Sequence, residues 1–185
     1  YIVESGISIN DYLTLVLLAY TLAFIISIIM LIKLNSLQHF YQIIFLKYTD
    51  NTIPIAIIKS LISKKTDLNI KSCDGFSFDK IILKKTLVSV LAYLFLITGF
   101  FNAFMLAVLF PENRLTVSQF TAAFHGFGGL ILAFYLDPML SRSIDTYSDD
   151  VTWLKNVYSI LLGRTLSYLA MIISILIFIY YLKFI

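Results

Sequence analysis

The chain has 185 residues, of which 59% are hydrophobic and 14% are charged, with a formal net charge of +3 and a mean hydropathy of +0.89. This composition excludes an ordinary soluble domain and indicates an integral membrane protein. The basic residues are mostly lysines outside the apolar runs, which favours loops that face anionic lipid over a nucleic-acid surface. The single cysteine, Cys73, excludes an internal disulfide and a multi-cysteine metal site.

Four long apolar segments predict an all-α fold, a polytopic membrane helix bundle with about four transmembrane helices in one integral membrane domain (1–185). The predicted spans are residues 12–32, 86–110, 115–136 and 157–182. Each is long enough to cross the hydrocarbon layer as a helix. Only four residues, 111–114, separate the second and third spans, so these two should form a helical hairpin. The chain starts at Tyr1 rather than Met, and we expect N-terminal spans upstream of it to be missing.

The segment 33–85 between the first two spans is strongly basic and holds nine of the fourteen Lys and Arg residues. We expect one or two interfacial helices in it, at 37–48 and 53–62, and a loop at 63–80. By the positive-inside rule this segment is cytoplasmic, and both chain ends lie outside. Within the first span, the hydroxyls are expected to bond back to their own helix; they belong to Thr14, Thr21 and Ser27.

The third span carries the features around which the chain is organised. Its small residues recur at helical spacing and predict a face against which another helix packs: Ser118, Ala122, Gly126, Gly129 and Ala133. Asp137-Pro138 should end this helix and cap the next, in which Arg142 and Asp145 are spaced to pair. A second small face follows in the last span, at Ser159, Gly163, Ser167, Ala170 and Ser174.

Two ionisable residues inside apolar runs, His125 and Arg164, are the best candidates for a functional role. The alternatives are a neutral histidine bonded to a neighbouring helix and an arginine that snorkels to the interface. Asn102, near the middle of the second span, should face other helices. The sequence contains no metalloprotease, serine-hydrolase, phosphate-loop or paired-carboxylate motif, so we expect no enzyme, no cofactor and no metal site.

Residues 90–170 resemble the Amj-type lipid II flippases, polytopic proteins of bacterial envelope biogenesis that serve as alternates to MurJ. The resemblance begins with a glycine-bearing span and a Pro-Glu turn at 99–112. It continues through a hydroxyl-rich start, a Gly-x-Gly centre, an Asp-Pro pair and an arginine in the last helix: Ser118, Gly126, Gly128, Asp137, Pro138, Ser141, Asp145 and Arg164. The chain departs from the family pattern at His125, Gly129 and Ser167.

The resemblance implies a protein of the bacterial cytoplasmic membrane that flips an undecaprenyl-pyrophosphate-linked peptidoglycan precursor (lipid II) or a related polyprenyl-linked glycolipid. Such a substrate needs a shielded polar path with cationic contacts. We therefore expect Arg164 and Arg142 to bind phosphates. Sugar hydroxyls would be bound by Asn102, Gln119, Thr121 and His125. The structural motif would comprise Gly126, Gly128, Gly129, Asp137, Pro138 and Asp145.

The competing hypothesis is a structural or assembly subunit of a membrane protein complex. In that case the small faces would pack against a membrane protein partner or a second copy of the chain. Under either hypothesis the chain contacts the bilayer and binds no nucleic acid.

Overall fold

The structure, a computed structural model, describes residues 9–34, 36, 44, 52–62, 81–145 and 150–182. The chain divides into two units, one comprising residues 1–28 and 78–185 and the other residues 29–77. Every described element is helical, so the described residues form an all-α fold without strands, as predicted. The helices are α1 (Ile9–Ile32), α2 (Ile53–Ile62), α3 (Leu83–Leu109), α4 (Arg114–Ile131), α5 (Asp137–Asp145) and α6 (Asp150–Leu182).

Four helical segments are long and apolar enough to cross a membrane: Ile9–Ile32, Leu83–Ala107, Gln119–Arg142 and Thr152–Tyr180. They agree with the four predicted spans to within a few residues at most ends. The main differences are that the third continues past residue 136 and the fourth begins before residue 157. Uninterrupted Leu-, Ile- and Phe-rich sequence explains these helices, because a backbone in lipid must satisfy its own hydrogen bonds.

The four spans alternate in direction within the first unit. The backbone N–H of Ile82 donates to Ser159 Oγ, and Ser167 Oγ donates to the Val90 carbonyl, so α3 and α6 run parallel. By contrast, α1 is antiparallel to α3, and α4 folds back on α3 through the 3₁₀ turn Pro111–Asn113. This turn confirms the predicted hairpin. We call the end where α3 and α6 begin the lysine end, and the opposite end the turn end.

The predicted helix end at Asp137-Pro138 is wrong, because the chain stays helical through both residues. Asp137 has φ −65° and ψ −46°, which is helical backbone rather than the extended conformation of an N-cap. A π-turn, Leu132–Leu136, joins α4 to α5, and the Asp137 N–H donates to the Leu132 carbonyl five residues back. Pro138 offers no N–H and its ring crowds the carbonyl four residues earlier. One π-turn accommodates this local mismatch without ending the helix.

The described part of the second unit contains one complete helix, α2, which matches the predicted short helix at 53–62. Its large apolar side chains Ile55, Ile57 and Ile58 are exposed. The predicted helix at 37–48 and the predicted loop at 63–80 lie almost entirely outside the described residues, and they stay predictions.

Candidate functional site

Arg164 lies in the first half of α6 and is half-buried among aromatic side chains. Its Nε and Nη2 both donate to the phenol oxygen of Tyr168, one helical turn later, at 3.3 and 3.2 Å. The guanidinium carbon is 5.7 Å from the ring centre of Tyr168 and 5.5 Å from that of Tyr93 on α3. Both distances are within the range of cation–π attraction. Two aromatic rings on two helices therefore hold the guanidinium inside the bundle.

The depth of Arg164 follows from its distance along α6 from the lysine end. Lys85 Nζ donates to Asn156 Oδ1 across the start of α3 and α6. Arg164 is eight residues beyond Asn156, and Tyr93 is eight residues beyond Lys85, which places both about 12 Å deeper at 1.5 Å per residue. Half of a ~30 Å hydrocarbon layer is ~15 Å. The arginine thus lies well inside the predicted span, whereas Lys85 marks its boundary.

No carboxylate among the described side chains lies within ion-pair distance of Arg164. An arginine carries five N–H donors. Two N–H groups of Arg164 reach Tyr168, and those of Nη1 have no acceptor in the described part of the chain. Among the described residues, no ion pair of Arg164 would have to break for an anion to bind there.

A close-packed polar seam between α3 and α6 holds Tyr93 and Arg164 opposite each other. Ser89 Oγ donates to the Ile160 carbonyl at 2.9 Å, and Ser167 Oγ donates to the Val90 carbonyl at 3.0 Å. A Cβ added at Gly163 would lie 2.6 Å from Ser89 Cβ, so the two backbones approach as closely as glycine allows. This confirms the predicted small face of the last span over Ser159, Gly163 and Ser167, all of which are buried. Ser174 of the same face is exposed.

Helix α1 approaches the site through hydroxyl groups. The Tyr20 phenol donates to the Ile97 carbonyl of α3 at 3.1 Å, and the Tyr20 ring is 6.4 Å from that of Tyr168. Ser27 Oγ is 2.6 Å from Thr165 Oγ1. Thr165 itself donates to the Leu161 carbonyl, so Ser27 is the donor of this pair. Ser27 thus bonds across to α6, contrary to the expected bond within its own helix.

The other two hydroxyls of α1 behave as predicted. Thr14 donates to the Asn10 carbonyl at 2.8 Å and Thr21 to the Leu17 carbonyl at 2.7 Å, in each case four residues back. Both side chains are exposed, and each hydroxyl bonds back to its own helix.

The contact between α4 and α3 does not fall on the predicted small face of the third span but on Gly128, which is not one of its residues. A Cβ added at Gly128 would lie 2.7 Å from Leu96 Cγ and 2.9 Å from the Ala92 carbonyl oxygen. On the partner helix, a Cβ at Gly99 would lie 2.9 Å from Phe124 Cβ. At Gly126 and Gly129, in contrast, an added Cβ meets nothing within 4 Å. The expected contact of Gly126 with a neighbouring helix is not found among the described residues, because α3 lies against the Gly128 side of α4.

His125 packs against α3 rather than against the arginine site. Its imidazole meets the Phe100 ring edge-on, with centroids 4.3 Å apart. Its Nε2 is buried and has no hydrogen-bond partner among the described residues. Phe100 is seven residues beyond Tyr93, about 10 Å farther toward the turn end. His125 and Arg164 therefore occupy two separate places along the bundle.

The remaining predicted site residues divide by exposure. Asn102 and Thr121 are half-buried, whereas Gln119, Arg142, Asp137 and Pro138 are exposed. The side chain of Asp145 lies outside the described part, so its predicted pairing with Arg142 stays a prediction. The structure thus does not gather the predicted ligands into one cluster.

Sequence reasoning missed the tyrosines, which form most of the arginine site. The sequence could have indicated Tyr168, since it lies four residues after Arg164 on the same helix face. It could not have indicated Tyr20 or Tyr93, because their positions beside Arg164 depend on how α1 and α3 pack against α6.

Among the described residues, no group of three or more His, Cys, Asp or Glu side chains could hold a metal ion. Comparison with protein-family models, curated proteins and solved structures finds no match to this chain.

Proposed function

We propose that this membrane protein moves a polyprenyl-linked glycolipid across the bacterial cytoplasmic membrane, with the lipid II class of undecaprenyl-pyrophosphate-linked precursor as its cargo. The observation that supports this is the state of Arg164: a cation deep in a membrane-crossing helix, bound to a neutral phenol and flanked by two tyrosine rings. A charge in that position is costly and marks a functional residue.

The chemistry of the cargo fits this arrangement. A pyrophosphate group is anionic and must cross an apolar layer, where desolvating its charge is the main barrier. A guanidinium presents planar N–H donors that match phosphate oxygens in pairs. The donors of Arg164 that meet no acceptor among the described residues would bind the phosphate, while the rings of Tyr93 and Tyr168 keep the arginine extended inside the bundle.

In this proposal the other polar residues mark the route on either side of Arg164. The exposed Arg142 on α5 belongs to the lysine end, which we take to be cytoplasmic, and would make the first contact with the headgroup. Toward the turn end, the half-buried Asn102, Thr121 and His125 would bond sugar hydroxyls. The exposed Gln119 would act last, near the outer surface.

The test is rescue of flippase-depleted cells by variants of Arg164. Arg164→Gln should fail, because a charge-assisted contact is worth roughly 1.5–3 kcal/mol, about a tenfold to hundredfold change in affinity. Arg164→Lys should rescue poorly, since a lysine keeps the charge but loses the paired donors. Lys155→Gln, which removes a base from the entrance of the same helix, is the matched control and should rescue fully.

Immunoblots of membrane fractions must show equal levels of every variant. If Arg164→Gln rescues as well as the parent at equal abundance, the arginine binds no cargo and this mechanism fails.

One observation favours the alternative function, a structural or assembly subunit. Among the described residues, nothing lies within 4 Å of a Cβ added at Gly126 or Gly129 of α4, although small residues there suit close helix contact. If a partner packs on this face, Gly126→Leu should abolish function by releasing that partner while the isolated chain stays folded. If the chain acts alone as a flippase, Gly126→Leu should rescue like the parent.

A further inference from the structure

We infer that the beginning of α3, together with Asn156 of α6, binds the headgroup phosphate of an anionic phospholipid. The site lies at the lysine end of the bundle. Asn156 is eight residues before Arg164, which is about 12 Å along the helix axis. The site is therefore separate from the arginine site, and the inference does not rest on the proposed function.

The beginning of α3 concentrates positive charge that no acidic side chain of its first turn balances. A helix carries partial positive charge at its N-terminus, where its first N–H groups have no partner within the helix. Lys84 and Lys85 add two full charges in a first turn that contains no acidic residue. The N-cap residue is Ile82, whose side chain cannot accept a hydrogen bond. Since carboxylates are the side chains that stabilise such a helix end, this one is suited to an anion from outside the chain.

A contact between α6 and α3 places Asn156 just beyond this helix end. The N–H of Ile82 donates to Ser159 Oγ at 2.8 Å, so these two residues lie at nearly the same level. Asn156 is three residues earlier on the same face of α6, about 4.5 Å farther toward the lysine end. Lys85 reaches back to it, and its Nζ donates to Asn156 Oδ1. The carboxamide of Asn156 thus lies beside the first turn of α3.

The carboxamide of Asn156 brings unpaired donors to this place, although the residue is only 2% exposed. An ammonium group only donates, so the carboxamide oxygen must face Lys85 and Nδ2 is left with its two N–H donors. These donors have no acceptor among the described residues. The fully enclosed, unpartnered side-chain nitrogen of the described part is His125 Nε2, so Asn156 Nδ2 keeps an opening to the outside. A phosphate oxygen there would supply the acceptor that a buried amide needs.

The surroundings of the site favour a lipid over a free phosphate ion. Leu83 and Leu87, one turn apart at the beginning of α3, are 70% and 59% exposed, so apolar surface adjoins the charged helix end. Lys85 marks the boundary of the predicted span, and lipid headgroups lie at that boundary. Basic sites between membrane helices at the cytoplasmic side are suited to anionic headgroups. A phospholipid can place its phosphate at the helix end and its acyl chains against these leucines.

The test measures which lipid the purified protein retains in detergent, by native mass spectrometry. Equal amounts of anionic phosphatidylglycerol and zwitterionic phosphatidylcholine are the competing probes, and we expect the parent to retain phosphatidylglycerol preferentially. Asn156→Asp should lower this preference at least about tenfold, because a carboxylate replaces the two donors and repels the phosphate. Lys85→Gln should lower it similarly. Lys33→Gln, which removes one exposed charge outside the site, is the matched control and should leave the preference unchanged.

Asn156→Asp also separates lipid binding from a purely structural role of the amide. If Asn156 only holds Lys85 against α6, aspartate preserves that contact as an ion pair, and the variant should keep the lipid preference of the parent. That result would overturn the inference. So would a parent protein that retains both lipids equally, or a Lys33→Gln variant that loses as much preference as Lys85→Gln.

Thermal unfolding followed by circular dichroism checks the fold of each variant and distinguishes lipid from free anion. Phosphatidylglycerol should raise the unfolding temperature of the parent but not that of Asn156→Asp, because a ligand stabilises only the folded state that binds it. Inorganic phosphate should raise neither. If inorganic phosphate stabilises the parent as much as phosphatidylglycerol does, the site binds a free anion and the assignment to a lipid is wrong.

Discussion

Replacing Gly163 with alanine tests the closest contact that any glycine of the described residues makes with a neighbouring helix. The new methyl group would lie 2.6 Å from Ser89 Cβ, 2.7 Å from Ser89 Oγ and 2.7 Å from the Thr86 carbonyl oxygen. The Oγ of Ser89 can rotate away, but Ser89 Cβ and the Thr86 carbonyl are fixed to the backbone of α3. To bring Ser89 Cβ from 2.6 Å to 3.4 Å, where ordinary contact begins, α3 and α6 must separate by about 0.8 Å.

The expected cost follows from that separation. Overpacking of this kind costs about 1–3 kcal/mol. The seam would also strain two hydrogen bonds, from Ser89 to the Ile160 carbonyl and from Ser167 to the Val90 carbonyl, each worth about 0.6 kcal/mol in a membrane. The higher helix propensity of alanine stabilises the helix by up to about 1 kcal/mol and offsets part of this cost. The net expectation is a loss of about 1–3 kcal/mol in the free energy of unfolding.

The measurement is unfolding by sodium dodecyl sulfate in mixed micelles, followed by the fluorescence of Trp153, the only tryptophan, which lies near the start of α6. Gly126→Ala is the matched control, since its Cβ meets nothing within 4 Å and only the gain in helix propensity remains. If Gly163→Ala unfolds at the same detergent fraction as Gly126→Ala, α3 and α6 do not pack at this glycine and the reasoning is refuted.

Three further predictions concern the contact between α3 and α4, the π-turn before Pro138, and the orientation of the chain in the membrane. Gly128→Ala should lower the free energy of unfolding by about 1–2 kcal/mol relative to Gly129→Ala in the same titration, because only Gly128 faces the Ala92 carbonyl; equal values would argue against the α3–α4 contact. Pro138→Ala should raise stability by about 1 kcal/mol, since it restores an N–H to a helix interior, and no change would mean that the π-turn does not depend on the proline. Cys73 should resist an impermeant maleimide in intact cells and react once the membrane is opened, whereas labelling of intact cells would reverse the proposed orientation.

The fold could be predicted from the sequence because the bilayer imposes a simple rule. A segment that crosses hydrocarbon must be apolar, long and internally hydrogen-bonded. Residues 12–32 and 86–110 satisfy that rule on their own, and the helices follow them closely. The turn at Pro111–Asn113 could also be predicted from local sequence, because two spans joined by four residues can only fold back on each other.

The predicted stop at Asp137-Pro138 failed for a local reason. The Asp-Pro dipeptide reports only a local preference of the backbone for ending a helix. A helix can accommodate a proline by forming one wider π-turn. The buried side chain of Leu136 packs against α3 and α6 and favours continuation of the helix. That packing is not visible in the dipeptide.

The sequence by itself determined which segments are long and apolar enough to cross a membrane and that an arginine lies within one of them. Only the tertiary structure decided what surrounds that arginine, and which of three neighbouring glycines touches another helix. Helical periodicity gives the faces of a helix but not which face meets which neighbour. Gly128 and Gly126 differ by two residues and so point to different sides of α4, and the docking of α3 alone made one a contact and left the other open. In the same way, Tyr93 and Tyr20 reach the arginine site only because α3 and α1 pack beside α6.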